Sequence, residues 1–151
     1  MNLLPGRQSK LAITVIEKFG AHFAPGTTIL YLGDKANKFV IYEQERLKQL
    51  GVPIISYHKP PDIILYNEVR NWLFLIEAGI LHKAVTLKRR KDLESLLIEC
   101  KAFRIYVSAF RSYSQYRQYS SHVAWKTHIW IAAMPEHMIH YNGENFLGPY
   151  E

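Results

Sequence analysis

Cysteine is nearly absent from this 151-residue sequence, which has only Cys100. An internal disulfide needs two cysteines, so the sequence predicts neither a disulfide-stabilised scaffold nor a multi-cysteine zinc site. It also lacks any run of about 18 uncharged apolar residues, which excludes a membrane-spanning helix of the usual kind. The first ten residues have no apolar segment followed by a small-residue cleavage site, the pattern of a secretory signal. We therefore expect a cytoplasmic protein.

The sequence also lacks internal repeats and low-complexity linkers. Its hydrophobic residues make up 48% and its charged residues 21% of the chain, proportions typical of a globular protein. Domains commonly contain about 100 to 200 residues. We therefore predict one domain over residues 1–151.

Acidic residues are outnumbered by basic ones. Nineteen lysines and arginines against thirteen aspartates and glutamates give a formal net charge of +6. Such an excess favours a polyanionic partner such as DNA, but it also keeps an ordinary domain soluble. Composition alone leaves both interpretations open.

Apolar spacing predicts the order of the elements in the first third of the chain. Residues 11–20 follow a helical repeat, with Ser9 as a candidate N-cap. The β-branched and aromatic run 27–34 predicts a buried strand that ends at Asp34. Residues 39–50 carry spaced apolar positions among charges and end at Gly51, which predicts a second amphipathic helix.

Strands and helices continue to alternate after residue 60. Two apolar runs, 63–66 and 72–76, flank a polar loop and predict a β-hairpin buried on both faces. The remaining pattern predicts a helix from Leu87 and further strands and helices, namely strand 103–110, helix 111–125, strand 127–133 and an extended segment from His137. This alternation predicts an α/β (α+β) fold with a mixed central sheet flanked by helices.

Two carboxylates are the strongest candidates for chemistry. Asp62 begins the first strand of the hairpin and Glu77 ends the second, so antiparallel pairing brings them to the same end of the sheet. Converging like charges are compensated by a divalent cation in many sites, and Mg²⁺ takes one or two carboxylates together with water. Alternatively, Asp62 caps a strand and Glu77 is a solvated edge residue. The spacing by itself does not decide between a metal site and this structural role.

The segment around these acids resembles the central hairpin of PD-(D/E)xK nucleases, with Pro61-Asp62 followed fifteen positions later by Glu77. More specifically, four segments resemble the C-terminal catalytic domain of BsuBI/PstI-type restriction endonucleases: ILYLGD at 29–34, NWLFLIEA at 71–78, VAWKTHIWIA at 123–132 and HMIHYNGENFLGPY at 137–150. The resemblance covers about residues 22 to 151. It implies a restriction-endonuclease-like core.

The resemblance also implies a function. It implies a dimeric type II restriction endonuclease that depends on Mg²⁺ and cleaves double-stranded DNA at a palindromic hexamer. Asp62 would be the first and Glu77 the second metal-binding acid beside the scissile phosphate.

The sequence departs from the superfamily pattern at Gly79, where a lysine usually follows the second acid by two positions. A cation to stabilise the transition state must then come from elsewhere. Lys83 and Lys88 lie just downstream, and we predict Lys88 for this role because the resemblance there is carried by the Lys88-Arg89 pair.

Further residues are predicted to bind DNA or metal. The cations that follow the second acid are predicted to contact DNA phosphates: Lys83, Lys88, Arg89, Arg90 and Lys91. A solvated basic helix start is the alternative for the four consecutive cations. Asp34 is either an additional metal ligand or the hydrogen-bond partner of a neighbouring backbone turn.

Two hypotheses for function follow. The first is a Mg²⁺-dependent endonuclease domain that uses Asp62, Glu77 and Lys88. The second is a catalytically impaired or truncated domain that acts as a DNA-binding or assembly module. It is motivated by Gly79, by Lys126 where the resemblance predicts an acid, and by the absence of the family's N-terminal DNA-recognition region from this sequence.

Overall fold

A computed structural model describes residues 10–34, 38–53, 60–80 and 82–143. The described residues begin with a helical segment made of α1 (Lys10–Thr14), a π-helical turn (Val15–Phe19) and α2 (Gly20–Phe23). This segment continues three residues beyond the predicted end at Gly20, and the candidate cap Ser9 lies outside the described residues. No helix in the described ranges is both long and apolar enough to cross a membrane.

Seven strands form one mixed sheet in the order β2-β1-β3-β4-β5-β6-β7. Their bounds are β1 Thr28–Asp34, β2 Lys38–Tyr42, β3 Ile63–Asn67, β4 Trp72–Glu77, β5 Phe103–Phe110, β6 Thr127–Ile131 and β7 Met138–Tyr141. The helices α3 (Gln44–Leu50), α4 (Leu87–Leu96) and α5 (Tyr113–Tyr119) connect them. The pairs β4–β5 and β5–β6 are parallel and the others are antiparallel, which confirms the predicted mixed sheet flanked by helices.

The prediction of one helix over residues 39–50 is wrong in its first half. Residues 38–42 instead pair with β1 as the edge strand β2, and only 44–50 are helical. Four consecutive β-branched or aromatic residues, Phe39 to Tyr42, fit a pleated strand better than a helix. The predicted stop at Gly51 is confirmed, since it has a φ of 83° and its N–H donates to the carbonyl of Leu47.

The central hairpin is buried on both faces, as predicted. Along β3, Ile63 and Leu65 pack in a core beneath the N-terminal helical segment, whereas Ile64 and Tyr66 pack in a second core with Leu47 and with Leu93 of α4. The sheet is thus covered by the N-terminal helical segment on one face and by α3 and α4 on the other. The C-terminal ends of β1, β4 and β5 and the start of β3 meet at one edge of this layered structure.

Candidate metal centre

The register of the β3–β4 hairpin brings Asp62 and Glu77 together. Ile63 pairs with Ile76, so the residues just outside this pair lie opposite each other at the end of the hairpin. The backbone N–H of Asp62 donates to Oε1 of Glu77 at 2.9 Å, and both side chains are fully buried. The predicted convergence is confirmed, and the alternative in which Glu77 is a solvated edge residue is wrong.

A turn of backbone after β4 surrounds the Asp62 carboxylate. The N–H groups of Ala78 and Ile80 both donate to its Oδ2 at 2.9 Å. Gly79 lies between them with a φ of 76°, a conformation that residues with a side chain rarely adopt. Position 79 has therefore left the strand, which gives a physical reason for glycine where the superfamily pattern has lysine.

Glu77 meets two cationic or titratable groups through its other oxygen. Nε of Arg89 donates to Oε2 at 2.5 Å, and Nδ1 of His82 lies 3.3 Å from the same atom. Burial and the nearby Asp62 charge raise the pKa of Glu77 to about 8, although Arg89 acts in the opposite direction. The buried centre thus holds two carboxyl groups against one permanent cation, and one excess negative charge remains when both are ionised.

This donor set fits a divalent cation. Asp62, Glu77 and His82 each offer one ligand atom, and these atoms lie within 4.8 Å of one another, the only such group among the described residues. Oxygen ligands of Mg²⁺ lie at about 2.0 to 2.1 Å, so two ligands of one ion are separated by at most about 4.2 Å. A spread of up to 4.8 Å exceeds this separation, so the three ligand atoms would move closer together around an ion. The excess negative charge favours that cation.

Sequence reasoning missed His82. It lies beyond β4, and the turn at Gly79 brings it back, with the Gly79 N–H donating to the His82 carbonyl at 3.0 Å. A histidine five residues after the second acid, across a glycine, was the available signal. By contrast, His137 and His140 belong to no close ligand group of three within the described ranges. His140 instead faces His128 across β6 and β7, with 2.7 Å between their Nδ1 atoms.

The predicted basic residues separate into two groups. Lys83, Lys88 and Lys91 are exposed, and Lys88 forms no hydrogen bond or ion pair with the described residues. Arg89 is only 5% exposed and contacts Glu77. It therefore does not lie on the exposed basic surface that was predicted to contact DNA phosphates. Its spacing from Leu93 and Leu96 was the missed signal, because residues four and seven apart share a helix face.

Two other predicted residues lie near this centre. Asp34 ends β1 and is buried, and the N–H of the preceding Gly33 donates to the carbonyl oxygen of Asp62 at 2.8 Å. Asp34 is not one of the three residues whose ligand atoms come together. The remaining DNA-contact candidate, Arg90, is partly buried and donates from Nη1 to the carbonyl of Trp125 at 2.6 Å.

Comparisons with known proteins agree with this fold. A sequence model of the BsuBI/PstI restriction endonuclease domain matches residues 1–144. The type II restriction enzyme BsuBI of Bacillus subtilis is 40% identical over 99% of this chain and 47% of its own length. The type II restriction enzyme AplI of Arthrospira platensis is 30% identical over 97% of this chain and 47% of its own length.

A solved structure is similar as well. The SdaI restriction endonuclease superposes with a TM-score of 0.86 and 36% identity over 97% of this chain and 46% of that chain. The chain therefore spans about half the length of the relatives it matches. The family match begins at residue 1, whereas the resemblance in the sequence covers about residues 22 to 151. On this match, the chain belongs to the BsuBI/PstI restriction endonuclease domain family.

Proposed function

We propose that this chain is the Mg²⁺-dependent endonuclease domain of a type II restriction enzyme and hydrolyses phosphodiester bonds of double-stranded DNA at a specific site. The observation that carries the proposal is a pair of buried acids at one edge of the sheet, where the Asp62 backbone N–H donates to the Glu77 carboxylate and His82 lies beside them. Membership of the family supports the same reaction class.

Asp62 and Glu77 would hold the ion, with His82 as a third ligand. A bound Mg²⁺ supplies a more acidic coordinated water and neutralises charge on the phosphate. The two N–H donors on Oδ2 keep the Asp62 carboxylate in one orientation before any ion binds. The Asp62 N–H does the same for Oε1 of Glu77, so little reorganisation is needed.

Carboxylates and water are the ligands that Mg²⁺ prefers, and the same ligands suit Mn²⁺. Imidazole is a better ligand for zinc or nickel. We therefore assign Asp62 and Glu77 as the principal ligands. Asp34, at the end of the neighbouring β1, is proposed as an additional acid that reaches the ion directly or through water.

Two cations, Arg89 and Lys88, have different roles in this proposal. Arg89 is a positioning residue, because its Nε holds Oε2 of Glu77 and its Nη1 and Nη2 have no hydrogen-bond partner among the described residues. Lys88, one position earlier and exposed, is proposed to stabilise the negative charge that develops on the phosphate. The two roles separate a buried structural cation from one that DNA can reach.

DNA contact is proposed for the basic side chains around the start of α4. Lys83, Lys88 and Lys91 are exposed there, as phosphate contacts require. Arg90 is assigned to the same surface. A palindromic target and a homodimer, which the family resemblance implies, are part of the proposal.

A second function is favoured by one observation. Arg89 already pairs with Oε2 of the fully buried Glu77, and Gly79 stands where the superfamily pattern has lysine. A DNA-binding or assembly module that no longer cleaves would tolerate both features. In this alternative, Arg89 takes the place of the ion's charge.

A plasmid-cleavage assay separates the two functions. Wild-type protein is incubated with supercoiled plasmid in Mg²⁺, in Mn²⁺ and in EDTA, beside Asp62→Asn and Glu77→Gln, which keep side-chain size. Glu94→Gln, an exposed acid on α4, is the matched control. The endonuclease proposal predicts metal-dependent discrete fragments that only the control retains. Retention of DNA by a folded wild type with no product in either metal would support the module instead.

A further inference from the structure

A groove lies beside the start of α4. It has a volume of about 500 Å³ and runs between the start of α4 and the segment 121–126 that precedes β6. A β-bridge between Thr86 and Val123 and a hydrogen bond from the Ala124 N–H to the Val85 carbonyl join the two walls. The groove is therefore a fixed feature of the fold and not a gap between loose loops.

The lining combines positive charge with exposed apolar surface. Arg90 and Lys126 contribute cations, and no acidic residue among the described residues lines the groove. The main lining residues are Leu87, Arg90, His122, Trp125, Lys126 and Gly143. Trp125 is 59% exposed and Leu87 is 52% exposed, although both belong to residue types that usually bury much of their surface. An anion with an attached apolar ring, such as the sugar-phosphate unit of a nucleic acid, matches this combination.

Donor capacity remains on the arginine of this groove. Arg90 donates from Nη1 to the Trp125 carbonyl, and its buried Nε has no hydrogen-bond partner among the described residues. A buried donor without a partner costs free energy unless a ligand satisfies it. A phosphate oxygen is the acceptor that a guanidinium binds best.

The backbone at Lys126 is held in an unfavourable conformation. Its φ is 62°, in the left-handed region that favours glycine, while its N–H donates to the Tyr141 carbonyl. Strain of this kind persists where the surroundings enforce it and is concentrated at functional sites. A lysine, not a glycine, occupies this position at the mouth of the groove.

Consecutive residues connect the groove to the metal centre. Arg89 contacts Glu77, and Arg90 contacts Trp125. The Cα atoms of Arg89 and Arg90, which are consecutive residues, are about 3.8 Å apart. Adjacent residues of α4 thus contact the acids and line the groove. We propose that the groove binds a backbone phosphate and the adjoining sugar of the cleaved DNA, with Arg90 and Lys126 on the phosphate and Trp125 against the sugar.

The proposal rests on the proposed function, and the test uses a binding readout. Anisotropy of a fluorescein-labelled 40-base-pair duplex of mixed sequence is measured in EDTA from 50 to 300 mM KCl. Lys126→Gln is expected to weaken binding about fivefold at 150 mM salt and to lower the slope of log K against log salt by about 0.9, the value for one lost phosphate contact. Trp125→Ala is expected to weaken binding by a similar factor without changing this slope.

Three further variants test whether the side chain or the fold is responsible. Lys126→Arg keeps the charge and is expected to keep the slope. Lys126→Gly relieves the backbone and is expected to lose DNA affinity with no loss of melting temperature. Lys101→Gln removes an exposed lysine before β5 that does not line the groove, and is the matched charge control.

The outcomes are distinct. If wild type binds and cleaves DNA while Lys126→Gln and Trp125→Ala bind like Lys101→Gln, the groove proposal is overturned and the endonuclease proposal stands. A folded wild type that does not bind the duplex at 50 mM salt would overturn both. A lower slope for Lys126→Gln but not for Lys101→Gln supports the groove.

Discussion

Asp62 and Glu77 are joined by a hydrogen bond of 2.9 Å from the backbone N–H of Asp62 to Oε1 of Glu77. Both carboxyl groups are fully buried, and the buried cation Arg89 contacts Glu77. A buried ion pair is costly to break from one side, because the remaining charge then has no compensation. The charge balance at this edge therefore depends on Arg89.

The first prediction concerns this balance. Arg89→Met leaves two buried carboxyl groups facing each other and is expected to lower the free energy of unfolding by about 3 to 5 kcal/mol at pH 9, where Glu77 is ionised in the wild type. Glu77→Gln leaves Asp62 with Arg89 and is expected to cost much less. Urea denaturation of the single variants and of the double variant measures their coupling. Additive effects of the two substitutions would contradict a direct interaction.

The second prediction concerns Gly79. Gly79→Ala places a side chain at a φ of 76° and is expected to cost about 1 kcal/mol and to shift the N–H donors that hold Asp62. Gly26→Ala is the matched control, since Gly26 also has a φ of 76° and free space around its Cβ position, but lies before β1 at the other end of the sheet. Both variants should lose similar stability by thermal denaturation, and only Gly79→Ala should lose metal-dependent cleavage. Equal cleavage by both would show that the turn does not position Asp62.

The sequence permitted the two acids to be found because local rules determine their position. A hairpin with a short polar loop fixes its own register, so Asp62 and Glu77 could be brought together from spacing alone. The segment of β2 was misjudged because a short apolar run among charges has no unambiguous period. Its strand form depends on pairing with β1, which no local pattern reports.

The cation at the acids was harder to predict. The run from Lys88 to Lys91 has the composition of a solvated surface, yet the Thr86 side chain caps α4 and sets its rotation so that Arg89 faces inward with Leu93. Leucine spacing along the helix carried that information. His82 depends on a left-handed turn at Gly79, and such turns are not determined by composition.

The third prediction separates the two candidate cations. Lys88→Ala is expected to reduce the cleavage rate at least tenfold while leaving the melting temperature and Mg²⁺ affinity unchanged, because its side chain is exposed and makes no contact with the acids. Lys101→Ala, an exposed lysine before β5 outside the proposed DNA-binding residues, is the matched control and should retain the rate in single-turnover cleavage. If both variants cleave at the wild-type rate, the transition-state role does not belong to Lys88.

The last prediction concerns pH, and its sign follows from the raised pKa of Glu77. Burial, with the Asp62 charge, raises that pKa from 4.5 to about 8, so between these values the folded state binds more protons than the unfolded state. The contribution of Glu77 to the stability of the metal-free protein is therefore greatest below pH 4.5, falls as pH rises, and levels above about pH 8.

A metal ion needs the ionised Glu77 carboxylate and competes with that proton. Mg²⁺ affinity should rise about tenfold per pH unit below pH 8 and then level off, as measured by titration calorimetry from pH 6 to 9.5. Glu77→Gln should bind Mg²⁺ weakly and lose this rise, whereas Glu94→Gln should keep it. A wild-type Mg²⁺ affinity that is flat from pH 6 to 9.5 would mean that Glu77 is already ionised at pH 6 or is not a ligand. If Glu77→Gln keeps the rise of Mg²⁺ affinity with pH, the titrating proton belongs to another group.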